Sequence, residues 1–127
     1  MWLPLSVTNG APFFRRCTTS QPVAATVAPR LAEAQAVAQR VWACALGRLG
    51  GELAEIDAHF SAAVALCQEH EQVVNEALTE VWWGRILRER SFDAQAYAHL
   101  ARGIAMLDAT GCENAAQLGR DLAHGPR

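Results

Sequence analysis

The run 82–90 holds the residues best suited to bind a charged or aromatic partner: Trp82, Trp83, Arg85, Arg88 and Arg90. Arginine presents a planar fork of N–H donors that matches a carboxylate, and an indole ring offers a large apolar surface. On a helix the two adjacent tryptophans point about 100° apart, so one can face the core and the other a partner. The segment predicts either a buried Trp82 among solvated charges or a surface that binds acidic groups.

Cys67 and His70 lie three residues apart, and His59 precedes His70 by eleven. Thiolate and imidazole are the usual zinc ligands, but a structural zinc site needs four of them. No other cysteine or histidine pair has ligand spacing, and the chain contains no C-x-x-C pair. The pattern favours a thiol in the core and a histidine at the surface, so we expect no metal.

Catalytic constellations are missing from the sequence. The serines at 20, 61 and 91 have no G-x-S-x-G setting, and no glycine-rich phosphate loop is present. Glu69 and Glu71 lie in a polar turn rather than a pocket, and the absence of lysine excludes Schiff-base chemistry. The sequence predicts a protein that is not an enzyme and needs no cofactor.

Composition favours packed helices, because alanine is frequent and no segment alternates between apolar and polar residues. At 127 residues the chain has room for one domain. Apolar residues recur every three or four positions in five segments, which predict helices over about 29–49, 52–67, 72–90, 92–110 and 113–123. Ser91 is a residue type that caps the start of a helix, and Gly111 one that ends it. We expect an all-α domain over 30–127.

Residues 1–29 contain four prolines and no acidic residue. The lack of acids is typical of a transit peptide, but the prolines break the amphipathic helix that such a signal needs. We expect an irregular leader whose Trp2, Phe13 and Phe14 dock on the helices. No run approaches the roughly 20 apolar residues of a membrane span. Four dispersed cysteines predict reduced thiols and a cytoplasmic location.

A shift of forty residues aligns the chain with itself and pairs seven identical residues between 31–70 and 71–110. Val41-Trp42 falls on Val81-Trp82, and His59 falls on His99. Two equivalent histidines could form a pH sensor, although repetition for packing reasons explains them as well. The same shift carries Leu78 onto Leu118, so the predicted units are 31–70, 71–110 and a half unit over 111–124.

The second helix of each unit resembles that of tetratricopeptide (TPR) repeat proteins, in a long-unit form that is similar to the arrays of LuxR-type bacterial regulators. The pattern of turn, small, large apolar and small residues is carried by two sets: Gly51, Ile56, Phe60, Ala63 and Ser91, Ala96, Leu100, Gly103. The resemblance implies antiparallel helix hairpins stacked as a short array. It also implies a groove, lined by the first helix of each unit, that binds a protein or peptide.

Four residues are predicted to bind the partner: Arg48, Trp83, Arg85 and Arg88. The leading hypothesis is an adaptor, regulator or inhibitor that binds another protein, with self-association as a further option because two and a half units leave an open edge. The alternative is a sensor domain of a transcriptional regulator that takes a small ligand or peptide. A net charge of −2 argues against nucleic acid, although the segment from Asn114 resembles the first helix of a helix-turn-helix.

Overall fold

The structure, a computed structural model, describes residues 23–125. That part of the chain forms five helices and no strand: α1 (Val23–Arg48), α2 (Leu53–Glu69), α3 (Val73–Glu89), α4 (Asp93–Thr110) and α5 (Glu113–Ala123). Helices account for 86% of it, which confirms the all-α prediction. None of the described helices is long and apolar enough to cross a membrane. The predictions made for Trp2, Phe13, Phe14 and Cys17 fall outside the described residues.

The first helix begins earlier than expected. It starts at Val23 and contains Pro29 in its interior, whereas the sequence predicts an irregular leader up to residue 29. Proline has no amide hydrogen, so one backbone hydrogen bond is missing at that point of α1. The division between compact units falls between Leu31 and Ala32, within α1.

Two of the turns between helices contain a non-glycine residue in the left-handed conformation. Glu71 has a φ of 55° and Ser91 a φ of 69°. Ser91 was expected to cap α4, but Phe92 occupies the N-cap position and makes no side-chain capping bond. Gly111 ends α4 with a φ of 71°, as its type predicted.

The core consists of two apolar clusters that share α3. The first joins α1, α2 and α3 through Ala43, Ile56, Phe60 and Ile86. The second joins α3, α4 and α5 through four buried residues: Ala77, Val81, Leu107 and Ala116. Helix α3 contributes to both clusters. Each pair of helices thus buries its apolar face against the neighbouring pair, as the units of a repeat array do.

A repeated set of side-chain contacts defines the true register of the repeat. His59 Nδ1 lies 2.6 Å from Gln39 Oε1, and its ring stacks on Trp42. In the next pair His99 Nδ1 lies 2.7 Å from Glu80 Oε1, and its ring stacks on Trp83.

The second helices are therefore offset by forty residues, but the first helices by forty-one. The turn after α1 has four residues (49–52) and the turn after α3 has three (90–92), which accounts for the difference. Trp42 is thus the equivalent of Trp83, not of Trp82 as the uniform shift predicted.

Glycines let α3 and α4 approach closely. A Cβ added at Gly84 would lie 2.8 Å from the carbonyl oxygen of Ala96, and one added at Gly103 would lie 2.8 Å from that of Ala77. The same positions of the preceding pair hold Ala43 and Ala63, both fully buried. The α3–α4 crossing therefore has no room for even one methyl group on either helix.

Candidate partner-binding site

The candidate site forms where the ends of α1 and α3 meet. Gly47 makes this approach possible, because a Cβ there would lie 2.3 Å from Ile86 Cγ2. One turn further along α3, Glu89 comes beside Arg48 of α1. The close helix approach thus sets a carboxylate of one repeat against a guanidinium of the other.

Glu89 binds two arginines from two helices. Arg48 donates through Nε and one terminal nitrogen to the two carboxylate oxygens, at 3.0 and 2.9 Å. Arg85, four residues before Glu89 on α3, donates through Nε at 3.3 Å. Two positive groups share one negative group, so this cluster keeps a net positive charge.

The pKa values reflect this pairing. Hydrogen bonding from Arg48 lowers the pKa of Glu89 below its ordinary value, and Arg85 adds to the effect. The hydrogen bond to Glu89 in turn raises the pKa of Arg48. Both groups are therefore ionised at neutral pH, and the ion pair is part of the resting structure.

Trp82 completes the cluster. The guanidinium carbons of Arg48 and Arg85 lie 5.7 and 5.6 Å from the centre of its ring, within cation–π range. The Arg48 side chain is 48% exposed, against 17% for Arg85. We call the group Arg48, Trp82, Arg85 and Glu89 the arginine–tryptophan cluster.

An apolar stripe continues from this cluster along the two helices. Val74 and Leu78 precede Trp82 at four-residue intervals on α3, so the three share one face. On α1, Val41 lies seven residues before Arg48 on the same face and is 59% exposed. The arrangement offers donors for a carboxylate next to a surface for apolar side chains.

Arg88 lies elsewhere, at the end of α5. Its two terminal nitrogens donate to the carbonyl oxygens of Ala123 and Gly125. The last carbonyls of a helix lack partners within it, so Arg88 caps the C-terminus of α5 from α3. Arg85 extends a weaker bond of 3.4 Å to the Leu122 carbonyl.

Trp83, the fourth predicted residue, packs between helices. Its ring stacks on Phe60 of α2 and on His99 of α4, with ring centres 5.4 and 4.0 Å apart. Its Nε1–H donates to Asp57 Oδ1 at an N–O distance of 2.9 Å. The structure thus brings Arg48 and Arg85 together at Glu89. Arg88 shares only the end of α5 with Arg85, and Trp83 packs away from this group.

The four predicted partner-binding residues include neither Trp82 nor Glu89, although Trp82 belongs to the run at 82–90 that is suited to binding. Two features of the sequence point to these residues. The Arg85–Glu89 spacing is that of a helical ion pair, and a shift of forty-one residues aligns Arg48 with Glu89 and Val41 with Trp82. The shift of forty residues does not give that second alignment.

The residues weighed as metal ligands do not gather. His59 is hydrogen-bonded to Gln39, and Cys67 is fully buried in α2. Among the described residues no group of three or more histidine, cysteine or carboxylate side chains could hold a metal ion.

Glu80, which the sequence did not single out, is 1% exposed and bonded to His99 and to Arg102. This carboxylate takes the place of Gln39 in the preceding pair. Its two carboxylate oxygens therefore link α3 to α4 through hydrogen bonds.

Comparison with known proteins gives no match: no protein family, no curated protein and no solved structure is similar to the chain.

Proposed function

We propose that the protein is a helical-repeat interaction module that binds an acidic segment of another protein at the arginine–tryptophan cluster. The observation that carries the proposal is the pair of guanidinium groups around Trp82, which share a single carboxylate. Arg48, half-exposed, retains N–H donors that Glu89 does not occupy.

The chemistry favours a partner that combines a carboxylate with apolar side chains. A carboxylate can join the two arginines in charge-assisted hydrogen bonds, which are stronger than bonds between neutral groups. Val41, Val74 and Trp82 offer apolar area beside them. Because the arginines are held in place by Glu89, little side-chain entropy is lost on binding.

The proposal extends to the kind of protein and its location. We propose that the repeat is tetratricopeptide-like, that the protein is a bacterial regulator and that it works in the cytoplasm. Support comes from the repeated helix pairs and from cysteines such as Cys44 and Cys67, which are free thiols.

Affinity capture from the native host with three baits tests the proposal. The test bait carries Arg48→Gln and Arg85→Gln; the control bait carries Arg120→Gln, which removes an exposed ion pair to Asp108 on the α4–α5 side. We expect wild type and control to retain the same proteins and the double variant to lose them, with recovery that falls as salt rises.

Equal recovery by all three baits would contradict the proposed site. No enrichment over an unrelated helical bait would contradict the proposed function.

A further inference from the structure

An open pocket of about 540 Å³ lies between the first turns of α4 and the end of α5. Ala96, Tyr97 and Leu100 of α4 form one side, and Ala123 and His124 form the other, with Arg88 of α3 beside them. The volume falls within the range of small-molecule sites. Its walls are mainly apolar, and Tyr97 is 73% exposed.

The preceding repeat shows what such a pocket holds. Forty residues earlier on α2 stand Ile56, Asp57 and Phe60, and there the indole of Trp83 covers the surface. The indole stacks on Phe60 and donates to Asp57, while Ile56 and Phe60 have no exposed surface. An indole is the natural occupant of this face of a second helix.

The last repeat lacks that indole. Ala123 and His124 stand forty and forty-one residues after Trp83, so neither register places an indole at this position. In addition, α3 continues from Trp83 to Glu89, whereas α5 ends at Ala123. The pocket is the space left by both differences.

The opposite end of the array carries the complementary surface. Ala38, Trp42 and Ala45 lie on one face of α1, and Leu49 follows on the same side just after the helix ends. All four are exposed, Trp42 by 56% and Leu49 by 84%. Their equivalents forty-one residues later are Thr79, Trp83, Ile86 and Arg90. In that set Trp83 and Ile86 pack against Phe60, and Arg90 donates to the carbonyls of Gly47 and Gly51.

We infer that the protein associates head to tail, with Trp42 of one copy entering the α4–α5 pocket of a second copy. The inference is independent of the proposed function, since neither Trp42 nor the pocket belongs to the arginine–tryptophan cluster. Trp42 presents the same residue type in the same repeat position as Trp83. The Tyr97 hydroxyl, at the position of Asp57, can accept the indole N–H.

Two structural features shape the contact. α5 packs along the later turns of α4, where Gly119 faces Leu107, and α1 is one continuous helix. The incoming α1 must therefore lie at an angle to α5, with only its half from Trp42 onward over the pocket. Each copy has one Trp42 and one pocket on different surfaces, so the contact is heterologous. A complex of two copies keeps one unoccupied Trp42 and one unoccupied pocket, which can bind further copies.

Two variants separate the halves of the interface. Trp42→Ser removes the indole, and Ala123→Trp fills the pocket from within the chain. In sedimentation experiments over a concentration series, wild type should exceed its 13.8 kDa chain mass as concentration rises. Each variant should weaken association at least about thirtyfold, as loss of a central tryptophan does in protein interfaces.

Mixing the variants gives the decisive result. Trp42→Ser keeps its pocket and Ala123→Trp keeps its Trp42, so an equimolar mixture should form a complex of two chains and stop there. Ala101→Glu, an exposed change at the pocket rim, replaces Ala123→Trp if that variant does not fold. Ala65→Glu, an exposed change on α2, is the matched control and should associate like wild type.

A wild type that stays at the mass of one chain at every concentration would overturn the inference. So would a mixture that forms no complex, or a tryptophan-containing peptide that binds the pocket while the chain remains single.

Discussion

The tight α3–α4 crossing predicts that alanine is destabilising at Gly84 and at Gly103, although alanine is the better helix former. A Cβ at Gly84 would lie 2.6 Å from Leu100 Cγ and 2.8 Å from the Ala96 carbonyl oxygen. A Cβ at Gly103 would meet Val81 Cγ2 and the Ala77 carbonyl oxygen at the same two distances. A backbone oxygen can yield only if the whole helix moves.

The size of the effect follows from two opposing contributions. Helix propensity favours alanine over glycine by about 1 kcal/mol. Overpacking a tight contact costs roughly 1–3 kcal/mol, and contact with backbone belongs at the upper end. We expect a net loss of about 1–2 kcal/mol for each variant, or a fall in Tm of roughly 5–10 °C.

The matched control is Gly119→Ala. Its Cβ would meet only the Cδ1 end of Leu107 closely, at 2.4 Å, and a terminal methyl can rotate away. Unfolding in urea, followed by far-UV circular dichroism, should therefore show a change of less than about 1 kcal/mol for this control. If Gly84→Ala and Gly103→Ala raised stability by the helix-propensity value, the close crossing would be refuted.

Three further predictions concern the site, the thiols and a turn. The pairing with Arg48 lowers the pKa of Glu89, so it stabilises the fold above the ordinary glutamate pKa and is lost as pH falls through the folded-state pKa. The free energy of unfolding should therefore fall less steeply with acid in Arg48→Gln than in wild type. Parallel curves of unfolding free energy against pH would contradict the ion pair. Burial raises the pKa of Cys44 to about 11, so iodoacetamide at pH 8 should modify exposed Cys112 well before Cys44 in mass-spectrometric peptide maps; equal rates would contradict the burial. Ser91→Gly should raise the unfolding free energy by about 1 kcal/mol in urea titrations because φ there is positive, and a loss of stability would show that the serine side chain is needed.

The sequence predicts the helices well because local signals define them. Apolar spacing of three and four places α5 at 113–123 as observed, and Gly111 ends α4 as its type requires. The predicted start of α1 at Pro29 was wrong, because the sequence does not distinguish a proline in the first turn of a helix from one in its interior.

The site was harder to predict because it depends on register across helices. One additional residue in the turn before Leu53 shifts the first helices to an offset of forty-one, which exchanges the roles of Trp82 and Trp83. That Arg88 reaches the carbonyls at the end of α5 depends on packing between helices, and no local pattern encodes it.

Site-specific photo-crosslinking in the native host tests the central claim, that the face of α1 and α3 around the arginine–tryptophan cluster contacts another protein. The crosslinker p-benzoylphenylalanine replaces exposed Val41 on this face, and exposed Ala65 on α2 serves as control. We expect irradiation to yield a distinct adduct from position 41, lost when Arg48→Gln and Arg85→Gln are added, and none from position 65. Equal adducts from both positions, or an adduct from position 41 that persists without the two arginines, would contradict it.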